Sequence, residues 1–130
     1  MANLINWFEI PVSDMERAKK FYEPVLNAKV QIDEQMAPGL KMGFLQTEGM
    51  DRKDIGGALV QGEGYKPGTN NTLIYLNANE CGGCTEFLQR VEKAGGKVDH
   101  PSTQITPEIG YFGIFTDSEG NRLAVHSSKG

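Results

Sequence analysis

Few side chains in this sequence can do proton-transfer, nucleophilic or metal chemistry. Its 130 residues hold two histidines, His100 and His126, and two cysteines, Cys81 and Cys84. Two glycines separate the cysteines, and such a CxxC pair can be a reversible dithiol, half of a metal site, or neither. No other cysteines exist to complete a zinc site. Glu9 stands out for a different reason. It interrupts the apolar run WFEIPV, where a carboxylate is costly to bury unless it has a partner. With so few histidines a Ser-His-Asp arrangement is not arguable. Gly62-Glu63-Gly64 lacks the strand, glycine turn and helix order of a phosphate-binding loop.

The elements that must position these groups belong to one domain spanning 1–130, since the chain is too short for a second core of useful size. A net charge of −4 with no basic stripe argues against a nucleic-acid surface, which needs clustered Lys and Arg. No apolar run approaches a membrane span. MANLINWFEIPVSD lacks a cationic segment followed by a long apolar stretch, so a soluble cytoplasmic protein is expected.

Residues 4–12 alternate as a two-faced strand. Ser13, with Glu16 three residues on, reads as a helix N-cap and capping box. Ala18, Phe21, Tyr22, Val25 and Leu26 form an amphipathic stripe, with Pro24 expected to kink or end the helix. Strand-like runs follow at 29–35, 40–47 and 56–61, separated by the turn stretches Pro38-Gly39 and 48–54. A Gly/Asn-rich connection at 62–71 leads to a strand at 72–78, a helix capped by Asn79, and strands at 97–105, 111–116 and 122–127. Tyr111, Phe112, Phe115 and Phe44 are expected on one sheet face or the other, more as core than as a cofactor box. The second half repeats the first at a shift of about 66 residues: Phe21 falls on Phe87, Val25 on Val91, and 56–60 on 122–126. The fold class expected is therefore α+β, built from two βαβββ modules at about 1–62 and 72–128.

Two stretches carry a resemblance. Val12-Ser13-Asp14, followed by Ala18 and Phe21-Tyr22, resembles the opening "V-x-D … A-x-x-F-Y" of vicinal oxygen chelate proteins, the superfamily of glyoxalases, bleomycin-resistance proteins and extradiol dioxygenases. Asp117-Ser118-Glu119-Gly120-Asn121 is similar to their closing "D-P-x-G-N" hairpin, with Ser118 in place of proline. The resemblance implies curved mixed sheets around a cavity. It also implies a divalent metal held by one residue from the first and one from the last strand of each module, acting as a Lewis acid. Those four positions fall on Trp7, Ala58, Leu73 and Ala124, none of which can ligate a metal. No metal and no other cofactor is expected, unless a displaced site recruits one. A homodimer is what the resemblance implies.

Residues two along from these positions share their face: Glu9, Val60, Tyr75 and His126. Glu9 and His126 could act as an acid/base pair or as polar anchors, with Trp7 and Tyr75 giving flat apolar contact. Alternatively Glu9 is held by a nearby donor and His126 sits at a solvated strand end. His100 reads as a surface residue. At a helix start Cys81 and Cys84 could be activated thiols, or Cys84 could pack as a small apolar group equivalent to Ala18, with Cys81 half-exposed. Three functions remain open: a metal-independent small-molecule-binding protein, a glyoxalase-type lyase or dioxygenase with a displaced site at Glu9 and His126, or a redox-sensitive regulator using Cys81 and Cys84.

Overall fold

A computed structural model describes residues 4–51, 53–69 and 72–130. Residues 1–3, and positions 52 and 70–71 of two expected connections, lie outside the described residues. The first module comprises β1 (Trp7–Pro11), α1 (Met15–Leu26), β2 (Ala28–Asp33), β3 (Lys41–Thr47) and β4 (Gly56–Gln61). The second comprises β5 (Tyr75–Asn77), α2 (Cys84–Lys93), β6 (Lys97–Thr106), β7 (Gly110–Thr116) and β8 (Arg122–Ser127). Each forms a four-stranded mixed sheet, ordered β1-β4-β3-β2 and β5-β8-β7-β6. The α+β class and the paired modules match the sequence reading; the sheets are curved but not closed. No helix among the described residues is long and apolar enough to cross a membrane.

Register displays the repeat. Glu9 lies opposite Ala58 in a parallel pair, and Tyr75 lies opposite Ala124 in the same way, each 66 positions later. The middle strands are displaced further, Phe44 facing Ala58 and Ile114 facing Ala124. Gly43 and Gly113 occupy equivalent middle-strand sites where a helix crosses closely. A Cβ at Gly43 would stand 2.9 Å from the Met15 sulfur, and one at Gly113 would stand 2.5 Å from a Leu88 methyl.

Several expected boundaries move, β1 keeping Trp7–Pro11 of residues 4–12 and β2 running from Ala28 to Asp33 in place of the expected 29–35. The N-cap of α1 is Asp14, whose carboxylate accepts from Arg17 N–H, and not Ser13. The N-cap of α2 is Gly83 at φ 92, and not Asn79. Asn79 instead accepts hydrogen bonds from the backbone N–H and hydroxyl of Ser128. β5 keeps only three of the seven residues expected to be extended. Pro24 lies inside α1, which ends two residues later and closes on Asn27 in the left-handed region (φ 53).

One core serves both modules. Ile10, Phe21, Val25 and Leu59 from the first join Leu76, Phe87, Val91 and Val125 from the second. Phe115, fully buried, sits with its ring centroid 6.3 Å from Phe21 and 5.8 Å from Phe87, so it touches both helices. The helices pack on one another between the sheets, whereas no strand of one sheet lies alongside a strand of the other among the described residues. Side chains alternate along a strand, so the faces bearing Glu9 and Ala58, and Tyr75 and Ala124, point away from this core.

The turn between β7 and β8 bolts the modules together. Glu119 accepts from the backbone N–H groups of Ser13 and Asp14 at 2.9 Å each and from Arg17 Nε at 2.5 Å. That explains why Ser13 does not cap: its N–H and hydroxyl are bound from the other module. Asp117 accepts from Tyr22 Oη at 2.5 Å and from Asn121 Nδ2, which also donates to the Pro11 carbonyl. The residues of the closing motif thus do structural work, satisfying the N-terminus of α1.

Candidate functional site

The helix-free face of β1 leads into a cleft of about 320 Å³ between the modules. Its polar lining comes from Glu9, Tyr65, Lys66, Thr72, Asn121 and Arg122. Pro11, Ile74 and Leu123 supply apolar wall. Asn121 fixes the junction from both sides, donating to the Pro11 carbonyl and accepting from Gly68 N–H. β1 and the start of β8 are thereby held together at the cleft.

Glu9 is half-buried and held by neutral donors only: Tyr65 Oη donates at 3.1 Å and Trp7 Nε1 at 3.3 Å. The carboxylate beside it holds the Tyr65 phenol above its ordinary range, because losing that proton would set two negative charges in contact. Trp7 tilts over Phe44 at 6.2 Å and remains 42% exposed, a flat apolar surface next to the carboxylate. Behind them the first sheet's open face is filled. Ala58, Val60 and Met42 are buried beneath Ala37, Leu40, Phe44 and Tyr65.

The second sheet's open face is barer. Tyr75 is 54% exposed. His126 is half-buried, and its Nε2 lies 2.7 Å from the Ile109 carbonyl. No hydrogen bond or ion pair links Glu9 with His126 or Tyr75 among the described residues. The structure therefore brings Trp7 and Glu9 together, and places Tyr75 and His126 apart from them on the other sheet. His100 stacks on Phe112 at 4.8 Å on that same sheet.

At the positions that the resemblance assigns to metal ligands, the side chains do not fit a metal. Ala58 and Ala124 are fully buried methyl groups, and Trp7 and Leu73 carry no ligating atom. Among the described residues no three of His, Cys, Asp or Glu gather elsewhere as a candidate cluster. No step can be routed through a metal at those four positions.

Cys81 and Cys84 are both free thiols. Cys84 is the first residue of α2 and is wholly buried in the shared core, equivalent to Ala18. Cys81 is half-buried beside Leu26, its thiol 3.4 Å from the Leu26 carbonyl. Burial raises both thiols above their ordinary pKa; Arg90 opposes this at Cys81 and Ser102 opposes it at Cys84. Burial thus offsets the activation expected at a helix start. In the folded protein a thiol reagent such as dithionitrobenzoate should modify at most Cys81, slowly, with Cys84 reacting only after unfolding. Rapid release of two equivalents from native protein would contradict this packing.

Sequence reasoning missed Tyr65, Lys66 and Arg122. Arg122 was readable, since it lies two residues before Ala124 on the same strand. Tyr65 and Lys66 lie in an irregular connection with no periodicity to place them.

Comparisons with known proteins agree with this architecture. A family model described as the Glyoxalase/Bleomycin resistance protein/Dioxygenase superfamily matches residues 4–125. A glyoxylase-like domain-containing protein of Didymella fabae is 31% identical over 127 residues, covering 97% of this chain and 94% of its own. TnmS3, an antibiotic binding protein from Streptomyces sp. CB03234, superposes with a TM-score of 0.64 at 25% identity, covering 98% of each chain. The fosfomycin resistance protein FosX of Listeria monocytogenes, solved with Mn(II), superposes with a TM-score of 0.64 at 17% identity, covering 100% of this chain and 92% of its own. At that identity FosX shows the fold alone. With the duplicated modules, the opening and closing motifs and a family match over nearly its whole length, the chain belongs to the Glyoxalase/Bleomycin resistance protein/Dioxygenase superfamily.

Proposed function

We propose that this is a cytoplasmic small-molecule-binding protein that works without the divalent metal centre. The single observation that carries the reading is the Glu9 carboxylate, held by Tyr65 and Trp7 at a cleft of about 320 Å³ with apolar walls. Concave, mostly apolar sites with a few placed polar groups are how proteins hold small ligands, and this volume lies at the small end of their usual range. The antibiotic-binding protein among the structural relatives supports the same class of ligand. Glu9 and Trp7 are the contacts proposed here within one chain. Tyr75 and His126 would join the ligand if a second copy laid its open second sheet across the first. A homodimer follows from the same reasoning, because the exposed Trp7 and Tyr75 rings gain most by being covered.

Titrating a panel of drug-like small molecules against Trp7 fluorescence tests the reading directly, since Trp7 is the only tryptophan. A saturable response is expected, weakened about tenfold or more in Glu9→Ala, in line with loss of a hydrogen-bonded charge in a partly desolvated site. The response should be unchanged by chelator. Elemental analysis of protein purified without chelator supplies the opposing result: stoichiometric divalent metal, lost in Glu9→Ala or His126→Ala, would overturn the metal-free reading in favour of a displaced metal site.

A further inference from the structure

The cleft carries an arrangement of charge that its own residues do not use. Glu9 has two hydrogen-bond donors, both neutral. Lys66 and Arg122 line the same cleft, Lys66 next to Tyr65 in the chain and Arg122 at the start of β8. Among the described residues the ion pairs are Arg17 with Glu119 and Lys97 with Asp99, so none of these three charges is paired. Thr116 lies opposite Arg122 and Asn121 precedes it; the carboxylate beyond Thr116, Asp99, accepts from the Thr116 hydroxyl at 2.6 Å and pairs with Lys97.

Opposite charges in one cleft would gain by touching, and the fold keeps them apart. Pro11 lies two residues after Glu9 on β1, and Asn121, the residue before Arg122, donates to the Pro11 carbonyl. Lys66 and Arg122 are exposed and Glu9 is half-buried, so water screens each charge until a ligand covers it and strengthens its field. A ligand with a single positive charge would gain from Glu9 but face Lys66 and Arg122. A singly negative ligand meets the converse problem. Only a molecule with the inverse charge separation is attracted at both ends, and repulsion then excludes the others.

We propose that the cleft selects amphoteric small molecules, with an ammonium group seated at Glu9 and a carboxylate at Lys66 and Arg122. This rests on the cleft being the ligand site, as proposed above. The amino end also receives the Trp7 ring as a neighbour, a surface favourable to a cation. The Tyr65 hydroxyl, already bound to Glu9, stays protonated and keeps the carboxylate oriented.

Peptides with free or blocked ends provide the probes. The dipeptide Phe-Phe and the tripeptide Phe-Gly-Phe are each prepared with free termini, N-acetylated, C-amidated, or blocked at both ends, and titrated by calorimetry and Trp7 fluorescence. The form with both termini free should bind about tenfold more tightly than either singly blocked form, in at least one of the two lengths. Glu9→Gln keeps an acceptor for Tyr65 and Trp7 but removes the charge; it should abolish the penalty for acetylation and leave that for amidation. The double variant Lys66→Gln with Arg122→Gln should do the reverse. Circular dichroism of each variant checks that the fold is kept. Equal affinity for all four forms, tighter binding of a singly charged form, or no binding of either length overturns the proposal. The binding-protein reading survives those outcomes if uncharged or other small molecules still perturb Trp7 saturably. It falls only if no compound of the panel does.

Discussion

Phe115→Ala is expected to lower the free energy of unfolding by about 4 kcal/mol, the range seen when a buried phenylalanine is truncated. Phe115 has no exposed surface and contacts the aromatic rings of both α1 and α2. Its loss removes transfer free energy and leaves a cavity where two helices and a sheet meet, a place poorly able to collapse. For a chain of this length the melting temperature should fall by roughly 15 °C. Phe115→Leu, which refills most of the volume, should cost about 1.5 kcal/mol or less. Calorimetry and urea unfolding measure both. Near-equal costs for the two variants would mean that the ring contacts to Phe21 and Phe87 matter more than volume. A cost below about 1 kcal/mol for alanine would contradict the shared core.

The second large effect concerns the bolt between modules. Glu119→Ala should destabilise the protein by about 2 kcal/mol, because the exposed start of α1 and the Arg17 guanidinium lose a covered carboxylate that binds them better than water does. The Glu119 side chain is fully covered, whereas that of Arg17 is 53% exposed. Arg17→Ala should therefore cost clearly less, since Glu119 keeps its bonds from Ser13 and Asp14. Burial by itself would raise the Glu119 carboxyl, but the hydrogen bonds from Arg17, Ser13 and Asp14 outweigh it and hold the pKa at about 2. A carboxyl depressed in the folded state contributes stability above its ordinary range, near 4.5. That contribution is lost as pH falls toward 2. Asp117 has the opposite sign: burial raises it, outweighing the hydrogen bonds from Tyr22 and Asn121. The folded state therefore prefers Asp117 protonated, and its contribution to stability falls as pH rises through its folded pKa. Subtracting the Glu119→Ala profile from that of the parent isolates the acid limb. A flat difference between pH 5 and 2.5 would show that Glu119 is not held down in this way.

Much of the architecture was legible because helix and strand patterns are local. The stripe at Ala18, Phe21, Tyr22 and Val25 is a property of consecutive residues, and α1 forms there. The 66-residue repeat likewise appears unchanged in the pairing of Glu9 with Ala58 and Tyr75 with Ala124. The N-caps were read less well. Ser13 has the chemistry of a cap, but Glu119 reaches it from more than a hundred residues away, and Asp14 takes the role. Asn79 was passed over for a similar reason: its side chain serves Ser128, and a glycine opens α2.

The candidate site divides along the same line. Trp7, Ala58, Leu73 and Ala124 have no ligating atoms in any fold, so the sequence alone determined that those four positions cannot hold a metal. Strand alternation also determined that Trp7 and Glu9 share a face; that Tyr75 and His126 share another depends on the register of β5 beside β8. Only the tertiary structure decided that Tyr75 and His126 lie away from Trp7 and Glu9, while Glu9 and Arg122, at the ends of the two faces, border one cleft. Both modules bury the same kind of apolar face, and packing of the helices against each other around Phe115 turns the other two outward. The structure alone, too, carried Tyr65 from an irregular connection onto Glu9 and set Lys66 and Arg122 on the same cleft. Side-chain chemistry and periodicity are written residue by residue, whereas a cleft between modules depends on which distant surfaces gain most by coming together.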